Sequence, residues 1–211
     1  PKEESELIML SDSLKNCGRD MVLSLSPGPA LLEKAELYKQ VSNMWRITDD
    51  FWDSWQLLYN MFEHCEKWAP HNGAGHWADA DMLPIGYIKQ DYSPDITTRF
   101  TKDEQVTMLT LWSIFRSPLI IGGEMTKFDD LTMSLLTNEG ILKMHRNARH
   151  SHQVWRRKMN GSEIVLWTAA DAEGGQYAAL FNIGENTADI SVPLTAVSYT
   201  HLRAHETGAY L

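Results

Sequence analysis

Two short segments of the sequence place carboxylates beside an arginine and several tryptophans. Residues 45–50 read WRITDD and residues 77–83 read WADADML. Glycoside hydrolysis needs one carboxylic acid to protonate the leaving oxygen, and one carboxylate to attack the sugar or activate water. Tryptophan rings can cover the C–H face of a pyranose. These segments therefore predict a carbohydrate site with four candidate carboxylates: Asp49, Asp50, Asp79 and Asp81.

A structural role is an equally good interpretation of any single one of these carboxylates. A helix is predicted to begin near Phe51, and an aspartate just before it can cap that helix. An aspartate in a loop can also accept hydrogen bonds from nearby backbone amides. Position along the chain alone therefore does not rank the four.

Composition narrows the class of partner. The 211 residues are 43% hydrophobic and 22% charged, which is typical of a folded globular protein. The 19 basic and 28 acidic residues give a net charge of −9, which disfavours binding to nucleic acid or to anionic membranes. The chain has no run of about 20 apolar residues and only two cysteines, so it predicts neither a membrane span nor a disulfide framework. We expect a small-molecule or oligosaccharide substrate.

Two weak metal motifs are better explained without a metal. The Asp79-x-Asp81 pair lacks the glycine and distal glutamate of a calcium-binding EF-hand loop. The His201-x-x-x-His205 pair has Leu202 where a zinc-protease helix has glutamate. No glycine-rich phosphate loop is evident. The sequence therefore predicts no metal and no cofactor.

The elements that position the carboxylates follow a β/α pattern from residue 1 to about 147. Four apolar runs predict strands, and amphipathic stretches of 10 to 15 residues separate them. Such units predict a parallel sheet, and four of them make the C-terminal half of an eight-stranded (β/α)8 barrel. Barrel active sites lie where the strands end. The predicted strands are 21–26, 44–48, 77–83 and 119–121. The predicted helices are 31–43, 51–65 and about 130–145, together with a helix that begins at the capping box Thr101-x-x-Glu104.

The pattern changes after Asn147. Four further strand candidates, separated by Gly- and Asn-containing turns, predict an antiparallel meander that begins a truncated β-sandwich: 153–158, 163–169, 176–182 and 188–194. We therefore divide the chain into a half barrel at 1–147, a partial β-sandwich at 148–195, and a tail at 196–211 that we expect to be foreign to the fold. Half a barrel with a helix at its start also predicts that the chain is a C-terminal fragment of a longer protein.

Three ordered motifs resemble the melibiases of glycoside hydrolase family 27. They are WRITDDFWDSW at 45–55, GHWADADMLPIG at 75–86 and LWSIFRSPLIIGGE at 111–124, and the resemblance covers about residues 1–195. It implies a (β/α)8 barrel followed by an antiparallel β-sandwich. The implied activity is release of terminal α-D-galactosyl units with retention of configuration, without metal or cofactor. A secreted or periplasmic location would suit such an enzyme, but the sequence leaves the compartment and the oligomeric state open.

The resemblance also implies individual roles. The family's acid/base aspartate stands four positions after the motif arginine, which gives Asp50 rather than Asp49. Arg46 would hold the region of the sugar 2-hydroxyl and the carboxylate network, and Asp81 and Met82 match the family's sugar pocket. The family's nucleophile lies upstream of any residue in this chain. We therefore expect this fragment to be inactive alone.

One position departs from the family pattern and leaves the substrate open. Many relatives have a glutamate near the 2-hydroxyl where this chain has Ser26. A small neutral side chain at this position resembles the one found in relatives that accept a 2-acetamido sugar. α-N-Acetylgalactosaminides and β-L-arabinopyranosides are therefore alternative substrates, and a catalytically silent carbohydrate-binding protein is the alternative of another class.

Overall fold

A parallel sheet with helices forms the first part of the protein. The computed structural model describes residues 4–26, 28–88 and 96–193. In the sheet order β1-β2-β3 all neighbours are parallel, and Arg46 of β2 stands opposite Asp79 of β3. The elements are α1 (Glu4–Lys15), β1 (Ser24–Leu25), α2 (Ala35–Val41), β2 (Met44–Arg46), α3 (Trp55–Trp68) and β3 (Trp77–Asp79).

The helices pack on the sheet through large aromatic side chains. Trp45 of β2 is fully buried, and its ring lies 6.0 Å from that of Tyr38 on α2 and 5.9 Å from that of Trp68 on α3. The α3 positions Leu58, Phe62 and Cys65 recur with helical spacing and are all buried. A short antiparallel pair follows, β4 (Tyr87–Ile88) with β5 (Ile96–Thr97).

The predicted capping box opens helix α4 (Lys102–Phe115). The Thr101 hydroxyl accepts from the Glu104 amide, and the Glu104 carboxylate accepts from the Thr101 amide, so two amides at the helix start are satisfied. The helix ends at Arg116, whose φ of 68° is left-handed. The helix predicted from this capping box is confirmed.

The fourth predicted strand, 119–121, does not form an extended ladder. Only a single parallel bridge joins Leu83 to Ile121, through hydrogen bonds to Ile120 and Gly122. Pairing does not extend toward Asp81, because the left-handed backbone of Asp81 directs its amide to Asp79 and its carbonyl to Trp112. This segment nevertheless lies beside the chain that follows β3.

The helix predicted over residues 130–145 is two helices, α5 (Asp130–Leu136) and α6 (Glu139–Asn147). Asn138 separates them because its side-chain oxygen accepts from the Ile141 amide and caps α6. The apolar periodicity continues across the break, which is why the sequence pattern predicted one helix.

A three-stranded antiparallel sheet follows α6 directly. It comprises β6 (Ala148–Met159), β7 (Ser162–Asp171) and β8 (Gln176–Asn182), in that order. Asn160 and Gly161 have φ values of 51° and 76°, as a tight Asn-Gly hairpin requires. Residues 188–193 form no strand, in contrast to the prediction for 188–194, and Leu194 and the predicted tail lie outside the described residues. The second sheet of a sandwich and the division into domains stay predictions.

One apolar core joins the two sheets through the helices between them. Phe62 of α3 meets Phe181 of β8 edge to face at 5.0 Å, and Phe115 of α4 meets Trp167 of β7 at 6.3 Å. In addition, the Tyr59 hydroxyl donates to Glu163, which also pairs with Arg156. Within the described chain no helix is long and apolar enough to cross a membrane.

Removing the capping hydroxyl should weaken the protein measurably. We expect Thr101→Ala to lower the free energy of unfolding by about 1 kcal/mol, because the Glu104 amide loses its acceptor. Urea denaturation followed by tryptophan fluorescence measures this. Thr107→Ala, in the interior of the same helix, is the matched control and should change stability by less than about half as much. Equal losses in the two variants would show that the cap contributes nothing specific.

Candidate active site

The parallel ladder brings the two carboxylate segments to one edge of the sheet. β2 ends at Arg46 and β3 ends at Asp79, and the two residues stand opposite each other in register. The Ile47 amide donates to the Asp79 carbonyl at 2.9 Å, which extends the pairing to this edge. The residues that follow each strand, 47–54 and 80–83, therefore lie side by side, as the sequence predicted.

Arg46 lies between two of the candidate carboxylates. Its Nη2 is 2.9 Å from Oδ1 of Asp50, and its Nη1 is 3.6 Å from Oδ2 of Asp81. Its Nε donates to the Thr48 carbonyl at 3.0 Å, which fixes the plane of the guanidinium. The arginine side chain is only 13% exposed, so these contacts are partly shielded from water.

Asp81 is held by four hydrogen bonds. Its carboxylate accepts the amides of Met82 and Phe51, each at 2.8 Å, and its carbonyl accepts the indole N–H of Trp112 at 2.9 Å. Its own amide donates to Oδ1 of Asp79 at 2.9 Å. Its φ is 76°, a left-handed conformation that is uncommon outside glycine. The bond to Phe51 ties Asp81 to the segment that carries Asp50.

Asp79 is the most deeply buried of the four carboxylates, with 6% exposure. Burial raises its pKa from 3.8 to about 6, because desolvation penalises the charged form. The negative charge of Asp81 also raises the pKa of Asp79. The hydrogen bond from the Asp81 amide and the positive charge of Arg46 lower it. Asp79 therefore changes charge near neutral pH, inside the network.

Asp50 occupies the open end of the network. Its side chain is 75% exposed while one carboxylate oxygen contacts Arg46. The geometry therefore presents a carboxyl group to a ligand and backs it with a cation. Asp49 beside it is also exposed, and it faces Gly28, where an added Cβ would lie 3.7 Å from Oδ1 of Asp49.

The remaining predicted site residues lie at the same sheet edge. Ser26 is exposed and directly follows β1. Met82 packs against the backbone of Gly122, where an added Cβ would come within 2.6 Å of the Met82 sulfur. Gly122 therefore leaves room for the Met82 side chain.

Two of the tryptophans beside the carboxylates, Trp45 and Trp77, pack against other side chains of the protein. Side chains alternate between the faces of a strand, so Trp45 points into the helix layer while Arg46 points the other way. Trp77 begins β3, two residues before that strand ends, and the guanidinium of Arg116 covers its ring at 4.2 Å. Both rings have structural packing roles.

Sequence reasoning missed Asp53, which lies three residues after Asp50. Its buried carboxylate accepts the Arg99 amide at 2.6 Å and pairs with the Arg99 guanidinium at 2.7 Å. Nearby, Phe51 packs on Trp112, with ring centroids 4.9 Å apart. These contacts fix the start of α3 and with it the position of Asp50. The only sequence signal was a further aspartate in an aromatic segment.

Carboxylates and an arginine at the carboxyl edge of a parallel β/α sheet define a site of the glycoside hydrolase class. The family model described as Alpha galactosidase A, of the melibiase group, matches residues 2–147. The chain therefore belongs to this family, glycoside hydrolase family 27. In the part of the chain that the structure describes, no group of three or more potential ligands could hold a metal ion.

Solved and curated relatives differ in their activities. A family 27 β-L-arabinopyranosidase from Geobacillus stearothermophilus is 52% identical, with a TM-score of 0.86 over 92% of this chain and 44% of that one. A structure described as a putative α-N-acetylgalactosaminidase from Bacillus halodurans is 47% identical, with a TM-score of 0.66 over 84% and 40%. Alpha-galactosidase 2 of Arabidopsis thaliana is 25% identical over 86% and 46%. The chain thus spans less than half the length of each relative.

The titration of Asp79 should appear in the pH dependence of stability. Since its pKa in the native state is raised, the native protein binds this proton more tightly than the unfolded chain. The contribution of Asp79 to the free energy of unfolding is fully present below about pH 4 and is lost as the pH rises through about 6. We expect Asp79→Asn to remove this loss, so that the variant gains up to about 3 kcal/mol relative to the parent between pH 4 and pH 7.

Urea denaturation at a series of pH values measures this difference. Glu66→Gln, which removes an exposed charge near the end of α3, is the control and should follow the parent profile. A parallel pH dependence for Asp79→Asn and the parent would contradict the raised pKa of Asp79.

Proposed function

We propose that the chain is the acid/base portion of a retaining exo-glycosidase, with Asp50 as the general acid and base. The observation that carries this proposal is the exposed carboxyl of Asp50, whose one oxygen is 2.9 Å from Arg46 at the carboxyl edge of the sheet. In the first step Asp50 gives its proton to the glycosidic oxygen as the bond to the sugar breaks. In the second step it takes a proton from the water that releases the sugar.

Arg46 supports the ionised state of Asp50 in this cycle. When Asp50 has given up its proton, the guanidinium stabilises the carboxylate that remains. Asp81 lies on the other side of the guanidinium, and its negative charge offsets part of the arginine charge. Asp81 thus holds the arginine in place, and the two carboxylates share its positive charge.

The nucleophile in this proposal comes from polypeptide beyond this chain. A retaining enzyme needs its second carboxyl about 5–5.5 Å from the first, with an oxygen free to attack. Both oxygens of Asp81 accept backbone amides, and Asp79 is buried beneath it, so neither is suited to attack a sugar. The share of the relatives' length that this chain covers supports the same proposal.

The substrate that we propose is a terminal β-L-arabinopyranoside. β-L-Arabinopyranosides and α-D-galactopyranosides have the same configuration from C1 to C4 and differ only in the hydroxymethyl group on C5. The 52% identity to an arabinopyranosidase, against 25% to curated α-galactosidases, favours the sugar without that group. An α-galactosidase is the second candidate, supported by the family model and the curated relatives.

Loss of the Asp50 carboxyl should separate the two chemical steps. In the enzyme encoded by the complete reading frame, we expect Asp50→Ala to lower kcat/KM for an alkyl glycoside on the order of 10²–10⁴-fold. A dinitrophenyl glycoside, whose leaving group needs no proton, should lose far less. Added azide should restore turnover and give a glycosyl azide of retained configuration, because it replaces the water that Asp50 would activate.

Asp49→Ala is the matched control, since it removes the neighbouring exposed carboxyl. It should keep activity within severalfold of the parent on both substrates. The acid role of Asp50 is disproved if its variant loses both substrates equally and azide has no effect.

A substrate panel decides the sugar. We expect kcat/KM of the complete enzyme to be at least about tenfold higher for nitrophenyl β-L-arabinopyranoside than for the α-D-galactopyranoside, because one hydroxymethyl group changes binding by 1–3 kcal/mol. The α-N-acetylgalactosaminide completes the panel, since Ser26 leaves space near the 2-position. A preference for the galactoside would establish the second candidate, and no turnover of any of them would favour a silent binding protein.

A further inference from the structure

The left-handed backbone of Asp81 needs a compensating interaction. A non-glycine residue in this conformation is strained and persists only where its surroundings fix it. The amide of Asp81 has one recorded partner, Oδ1 of Asp79, at 2.9 Å. The bond joins residues two apart in sequence, as in an Asx turn, and its acceptor is the almost fully buried carboxyl of Asp79. Asp79 is therefore placed to select the conformation of Asp81.

The conformation of Asp81 in turn decides where its carboxylate lies. With this backbone turn, Oδ2 of Asp81 accepts the Phe51 amide and lies 3.6 Å from Nη1 of Arg46. The Phe51 amide belongs to the residue after Asp50, and Arg46 contacts Asp50 directly. Both connections lead from Asp81 to the exposed carboxyl.

We propose that Asp79 is a positioning residue: its buried carboxyl holds the Asp81 amide, and Asp81 then fixes Arg46 and the Phe51 amide so that Asp50 is correctly aimed. The proposal rests on the acid/base role proposed for Asp50. Asp79 has no direct contact with Asp50, so it acts through Asp81, which it holds by a hydrogen bond, and through Arg46, whose charge it opposes.

The charges around Asp79 define what its loss would change. Among the described residues, those that act on it are Arg46, across the ladder on β2, and Asp81 in its own loop. On the side of α4, the neutral hydroxyl of Ser117 accepts the neighbouring Ala80 amide. An oxygen of Asp79 can accept the Asp81 amide whether the carboxyl is ionised or protonated. Asparagine keeps such an oxygen and removes the charge, whereas alanine removes both.

The decisive experiment compares Asp79→Asn and Asp79→Ala in the complete enzyme. We expect the asparagine variant to keep kcat at its optimum within about threefold, because the amide oxygen replaces the acceptor. Because this variant lacks the negative charge of Asp79, the positive charge of Arg46 is less compensated and favours the ionised general acid. The basic limb of the kcat/KM profile, which reports loss of the proton from the general acid, should therefore move to lower pH. The alanine variant should lose kcat/KM on the order of 10–100-fold for alkyl glycosides, with little change in kcat/KM for dinitrophenyl glycosides, whose leaving group needs no proton.

Glu66→Gln again serves as the control and should leave both the pH profile and kcat unchanged. Equal losses on both kinds of substrate, or a basic limb that stays in place in the asparagine variant, would overturn the proposal and leave Asp79 a purely structural residue. If the alanine variant does not fold, the pH limb and kcat of the asparagine variant decide alone. Failure of the Asp50→Ala test with azide would instead reject the proposed function itself.

Discussion

The site depends on one arginine shared by two carboxylates. A guanidinium offers several donors in one plane, so Arg46 can contact Asp50 and Asp81 at once, as a lysine could not with the same geometry. The parallel ladder places this arginine at the end of β2 and the carboxylates on both sides of it. If the register of β2 and β3 slipped by one residue, Arg46 would lose its position opposite Asp79, and the network would not assemble.

The packing beneath this edge explains why the segment after β2 keeps its shape without regular structure. Phe51 is buried against Trp112, and Asp53 is buried against Arg99, so the chain is fixed on both sides just after Asp50. Further down, α3 and α4 carry the contacts to the antiparallel sheet through Phe62 and Phe115. The second sheet thus stabilises the helices on which the site segment depends. This division, with buried anchors and an exposed carboxyl paired with a cation, suits a residue that must exchange a proton with a ligand.

Much of this arrangement could be predicted from the sequence because its signals are local. The capping box at Thr101, the Asn160-Gly161 hairpin and the meeting of the two aspartate segments each follow from short-range rules. The features that the sequence leaves open are set by tertiary contacts. Whether Trp45 faces the helices or the sugar depends on the phase of a three-residue strand, which periodicity cannot determine over so short a length. The burial of Asp53 depends on Arg99, which is distant in sequence.

The same reasoning explains why three aspartates at one edge of the sheet can have different roles. Their residue type is identical, so their chemistry is set by exposure and partners alone. Asp50 is exposed to water and contacts one cation, which suits proton exchange. Both carboxylate oxygens of Asp81 accept backbone amides. Asp79 is buried deeply enough that desolvation raises its pKa to about 6. An additional carboxyl at this edge would face the electrostatic cost of Asp79 unless it brought its own cation, so the exposed position beside Arg46 is the one best suited to an acid that must ionise in every turnover.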